Sequence, residues 1–230
     1  MTLLNQTETA DPLREPQLAF KSFWVLFSVG LLYVSFGVCF GLLEYGVPPI
    51  LMSRGVDLAS MGWVIALYIP FGLTFLWAPL IDAKPLPWLS YRIGWIALSQ
   101  CVSSALLVMI ALGDGYSAQV LFGLGLAVCF AVATMDLALD ALAVDIIGPQ
   151  YRAMAAGLKV AALAFGGLLG GGVLVGSFDR LGWSGTFLLT AGLPLLTLLP
   201  VLALTRADQP RSLTRVRPGI LVTFRRAGAL

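Results

Sequence analysis

Asp136, Asp140 and Asp145 close a long apolar run in the stretch DLALDALAVD, and Lys159 follows in the next apolar segment. Carboxylates can hold a proton, a divalent metal or a cationic partner, and an ammonium can neutralise them. Spacing selects among these chemistries. Residues four apart share a helix face, so Asp136 and Asp140 point together, while Asp145 falls about 180° from Asp136 at about 100° per residue. Lys159 lies seven residues past Arg152, about 10 Å into its helix at about 1.5 Å per residue and level with the Asp pair. Two readings stay open for this trio. One is plain cross-helix neutralisation; the other is a charge cluster that breaks and reforms with conformation, or a proton-coupling site.

The elements that must position these groups are apolar and long. The 230-residue chain is 59% hydrophobic and 11% charged, with a mean hydropathy of +0.91, whereas soluble domains carry about 25% charged residues. A bilayer crossing takes about 20 apolar residues. Six segments qualify: residues 22–46, 58–81, 93–112, 118–139, 153–176 and 184–204. Breakers rich in Gly, Pro or charge separate them, and Asp57 reads as an N-cap for the second. The expected fold is therefore an all-α membrane protein. Residues 1–21 read as a cytosolic tail, 22–204 as a six-helix bundle and 205–230 as a basic cytosolic tail. The tryptophans Trp24, Trp63, Trp77, Trp88, Trp95 and Trp183 fall mostly near segment ends, where aromatic belts form.

Cations near span ends set orientation. Of 14 Lys and Arg residues, only Arg54 and Arg180 fall in the loops opposite the termini, which predicts both termini in the cytosol. Within the spans, Gly37 and Gly41, and then Gly166, Gly167, Gly170, Gly171, Gly172 and Gly176, stand at small-xxx-small spacings that let helix backbones approach closely. They read as helix packing, with a sliding interface as the functional alternative.

Several function classes drop out. With no His, the usual proton shuttle and the base of a hydrolytic triad are missing. Cys39, Cys101 and Cys129 lack metal or disulfide spacing and read as packing residues, so no metal and no cofactor is expected. A net charge of +2 argues against a nucleic-acid partner. The basic C-terminal residues suit lipid headgroups or a stop-transfer role. A multi-pass enzyme acting on lipid-linked substrates stays in view, with Asp136, Asp140 and Asp145 around a divalent metal and diphosphate. Against it, Asp145 projects away, and few phosphate-binding cations lie nearby beyond Arg152 and Lys159.

Three stretches, in order, carry a resemblance. FGLTFLWAPLID (71–82) resembles the KFLWAPLxD signature of AmpG-like permeases of the major facilitator superfamily; ATMDLALDALAVDII resembles their ATxDIAxDA segment; and GLKVAALAFGGLLGGGVLV with DRLGW resembles their fifth helix and outer loop. The resemblance implies six helices forming one N-terminal half of a two-half transporter. It further implies Asp82 in a cytosolic latch and Asp136 and Asp140 at the inner mouth of a solute path, with Lys159 in the same cluster. Departures fall at Thr74, Met135 and Lys159, and Ala164 stands where muropeptide-permease-like members carry Arg. That tilts the implied solute toward a siderophore, with a muropeptide as alternative, carried across an inner membrane by proton-coupled alternating access. A chain with one half would be a truncated permease, a half-unit pairing with a second half or a second copy, or a non-transporting partner subunit.

Overall fold

The computed structural model of the chain describes residues 14–53, 55, 58–84, 86, 90–202 and 204–205. Among them every regular element is helical. Helix α1 (Arg14–Gly41) passes through a π-helical turn at Leu42–Gly46 into α2 (Val47–Ser53). A 3-10 stretch at Leu58–Tyr68, α3 (Ile69–Gly72), a 3-10 turn at Thr74–Leu76 and α4 (Ala78–Ala83) follow. Then come α5 (Ile93–Leu112), α6 (Ala118–Ile146), α7 (Arg152–Gly167) running into a π-helical stretch at Leu168–Leu174, and α8 (Phe178–Leu202). Helix α1 begins inside the stretch expected to be a tail. The Asp57 cap, Arg54, Trp88 and residues 206–230 lie outside the described residues.

Among the described residues, five rods are long and apolar enough to cross a membrane: Phe23–Ser53, Ile93–Leu112, Ala118–Ile146, Pro149–Leu174 and Phe178–Leu202. The second expected span differs. It is a broken rod, with only Val64–Leu76 as a shorter apolar helix. Pro70 and Pro79 bring no N–H to the helical ladder, and tighter bonds replace it: the Leu73 N–H is shared between the Ile69 and Pro70 carbonyls at 3.1 and 3.2 Å, and the Trp77 N–H reaches Thr74 at 3.2 Å. Composition is blind to this, because hydropathy sees side chains and not backbone pitch.

Large apolar residues form the buried core and also cover the outer surface, and a set of polar side chains is buried among the core residues. Phe27, Ile65, Leu112, Val160, Leu168, Leu196 and Leu199 are exposed, whereas Ser28, Ser35, Gln100, Ser104, Thr186, Thr190 and Thr197 are buried. In lipid there is no hydrophobic drive between helices, so close packing and interhelical hydrogen bonds hold them. Between α5 and α8 those bonds form one seam. Gln100 Nε2 donates to Thr197 Oγ1 at 3.0 Å, Ser104 Oγ to the Ala191 carbonyl at 2.7 Å, and Ser184 Oγ to the Ala111 carbonyl at 2.7 Å. Trp183, expected in an interfacial belt, is instead inside. Gly182 breaks α8 at φ 66°, ψ −174°, and the Trp183 Nε1 donates to the Ile110 carbonyl at 2.7 Å. Removing a seam donor with Ser104→Ala or Trp183→Phe is expected to cost about 0.6–1.7 kcal/mol, read as a lower unfolding midpoint in detergent; an unchanged midpoint would show the seam to be idle.

At the α1–α7 crossing, backbone meets backbone. A Cβ on Gly37 would lie 2.6 Å from the Leu163 carbonyl oxygen, and one on Gly41 2.6 Å from Gly167 Cα. From the other side, Gly166 faces the Val34 carbonyl and Gly170 the Val38 carbonyl, while Gly171 faces Tyr45. Gly172 and Gly176, by contrast, pack on no neighbouring helix backbone.

Candidate functional site

The α1–α7 crossing carries α1 past the end of α6 that bears the aspartates, and this brings three rods to one ammonium. Lys159 on α7 reaches Asp140 Oδ1 and Oδ2 on α6 at 2.5 and 2.7 Å, and Asp136 Oδ1 at 3.4 Å. Tyr33 on α1 donates its hydroxyl to Asp140 Oδ1 at 2.6 Å. The Lys159 ammonium also lies 5.0 Å from the Tyr33 ring centroid, a cation–π distance. The side chains of Lys159, Asp136 and Asp140 are 29%, 28% and 46% exposed, so the cluster is half-sunk at a mouth, not sealed in a core. A groove of about 310 Å³ opens there, with Tyr33, Asp140, Arg152 and Lys159 on its walls. Two carboxylates share one ammonium, and a phenol donates to one of them.

Asp82 and Asp145 belong to a second cluster. Arg92, at the start of α5, gives Nη1 to Asp82 Oδ1 at 2.9 Å and Nε to Asp145 Oδ2 at 2.7 Å. A cation at a helix N-terminus opposes the macrodipole, and the two carboxylates hold it there. Burial works against the Arg92 charge, and its hydrogen bonds to Asp145 and Asp82 outweigh that, keeping the guanidinium above its ordinary pKa. Asp145 thus turns away from Asp136 and Asp140, as the helical wheel requires. Among the described residues no three His, Cys, Asp or Glu side chains gather as metal ligands.

Two participants were not placed in these charge clusters by residue spacing. Tyr33 stands four residues before Gly37 and eight before Gly41, on the glycine face of α1, and that period points it at α7. Arg92 counted only toward orientation; its partners lie 10 and 53 positions away, and nothing local announces the second.

These features define a multi-pass helical membrane protein whose ionisable residues gather at the ends and seams of its rods. Sequence comparison adds particular relatives. The chain is similar to the anhydromuropeptide permease of Escherichia coli K12, 30% identical over 163 residues, 68% of this chain and 32% of the permease. An uncharacterized protein of Haemophilus influenzae is 30% identical over 151 residues, 65% of this chain and 36% of that protein. A Rickettsia felis protein named as a transporter, AmpG 4, is 26% identical over 174 residues, 72% of this chain and 42% of that protein. The chain thus spans about a third of the length of the first two relatives. No protein-family model matches the chain.

Proposed function

We propose that the chain works as the solute-handling bundle of an AmpG-like secondary transporter of the major facilitator superfamily type, in an inner membrane with both termini cytosolic. The single observation that carries this reading is the Lys159–Asp140–Asp136–Tyr33 cluster, which ties α1, α6 and α7 together at one mouth of the bundle. Intramembrane charges that pair across helices mark substrate or ion paths. In this reading the cluster holds the mouth in its present state, and a proton or a charged solute group on the carboxylates frees Lys159 and lets α7 move. The Arg92 bridge between Asp82 and Asp145 latches the start of α5 to the end of α6. A second bundle, from another copy or another chain, faces this one across the solute path.

The solute we favour is a siderophore, since Ala164 leaves the fifth span without an anion-binding Arg. The name of the E. coli relative favours a muropeptide instead. Proteoliposomes carrying the chain, with an imposed pH gradient, separate the two when offered a radiolabelled iron-loaded siderophore and a radiolabelled anhydromuropeptide. We expect the pH gradient to drive siderophore entry. Asp140→Asn is expected to cut that entry at least about tenfold while membrane insertion is unchanged. Equal uptake by the variant overturns the role of the cluster, and uptake of neither probe overturns the transport reading.

A further inference from the structure

We infer that Arg152 is a landing point for an anionic group of the solute, a carboxylate or a phosphate, at the far end of the groove that leads away from the charge cluster; the inference rests on the transport reading, in which that end is the cytosolic mouth. Arg152 opens α7. Lys159 stands seven residues on, two turns along the same face and about 10 Å deeper. Both line the groove of about 310 Å³, and between them α7 contributes only the small side chains of Ala155 and Ala156 to its wall.

The two cations are engaged differently. Lys159 is held by Asp140 at 2.5 and 2.7 Å and by Asp136 at 3.4 Å, so an anion reaching it must first displace carboxylates. Arg152 is exposed and, among the described residues, forms no ion pair. An anion arriving there displaces only water, and the guanidinium fork matches the paired oxygens of a carboxylate or phosphate. Ala164, twelve residues further along the same span, offers no such fork. The contact therefore falls at the mouth of the bundle and not in mid-span.

The groove suits water and an anionic arm better than a lipid tail. The side chains of Asp140 and Lys159 stay 46% and 29% exposed beside it, and charges turned toward acyl chains are costly. Its volume sits at the lower edge of small-molecule sites, about 300 Å³, which is room for one arm of a bulky solute. With the anion on Arg152, the rest of that arm lies over Ala155 and Ala156.

The test uses the whole chain in nanodiscs of zwitterionic lipid and equilibrium dialysis with two matched pairs of radiolabelled probes. One pair is an iron-loaded hydroxamate chelate bearing a free carboxylate and its primary amide; the other is an anhydromuropeptide with free and with amidated peptide carboxylates. We expect the acid of at least one pair to bind about tenfold more tightly than its amide. Arg152→Gln should erase that difference by weakening the acid alone, and Arg152→Lys should keep most of it; a merely structural Arg152 would weaken acid and amide together. Ala156→Glu, which leaves Arg152 in place and sets a carboxylate on the groove wall, should weaken the acid in the same way. Amides that bind as well as their acids, or an acid preference that survives Arg152→Gln, overturn the landing point and leave transport standing. If no probe of either pair binds, the landing point also falls, and uptake in proteoliposomes judges transport separately.

Discussion

Gly170→Leu is expected to prevent the bundle from assembling, while Gly176→Leu, six residues on, leaves it intact. A side chain on Gly170 would be driven into the Val38 carbonyl and within 2.9 Å of the Leu42 amide nitrogen, and both are main-chain atoms. A flexible side chain can swing away from an intruder; the backbone of a helix cannot without moving the whole rod. Overpacking of a core typically costs about 1–3 kcal/mol, and an intruder set against main chain at a glycine crossing belongs at or beyond the top of that range. Gly176 faces no atom within 4 Å. Size-exclusion profiles and unfolding midpoints in detergent compare the two directly, and equal behaviour would mean that α1 and α7 do not meet through their glycines.

Lys159→Met is expected to abolish solute uptake and to destabilise the protein by about 1–3 kcal/mol, the cost of removing one partner of a buried pair reduced for partial exposure. Asp136 and Asp140 would then face each other with Tyr33 as the one remaining donor of the cluster. Asp140→Asn is milder, because Lys159 keeps Asp136, at 3.4 Å. Combining Lys159→Met with Asp140→Asn removes the repulsion, and should restore most of the stability but none of the uptake. If the single Lys159→Met variant melts and transports as the parent does, the cluster is neither a tie nor a gate.

How much of this could be read from residue order depends on the range over which each signal acts. Helical period alone sets Asp136 and Asp140 together and Asp145 apart, and rise per residue puts Lys159 level with the first two. Both are local geometry, and the structure has Lys159 within hydrogen-bond reach of that pair. The five long rods follow from apolar length. The broken rod between residues 58 and 83 does not, since its fate turns on Pro70, Pro79 and hydrogen-bond pitch, to which a hydropathy window is indifferent. Nor does the Tyr33–Asp140 bond, which joins residues 107 positions apart. That contact exists because α1 leans on α7 through glycines, and only the third dimension brings α6 beside them. Trp183 misled for a related reason: position near a segment end suggested headgroups, but the left-handed Gly182 before it redirects the ring inward.

The two π-helical stretches, Leu42–Gly46 and Leu168–Leu174, pack against one another across the glycine crossing. A π turn houses about one residue more than an α turn, so each stretch amounts to a stored insertion. Loss of a single residue there would restore ordinary α pitch and keep downstream side chains on their faces. The same loss elsewhere in either rod would swing every later side chain by about 100°. Length variation in these two rods therefore has a built-in place to be absorbed, beside the glycine crossing.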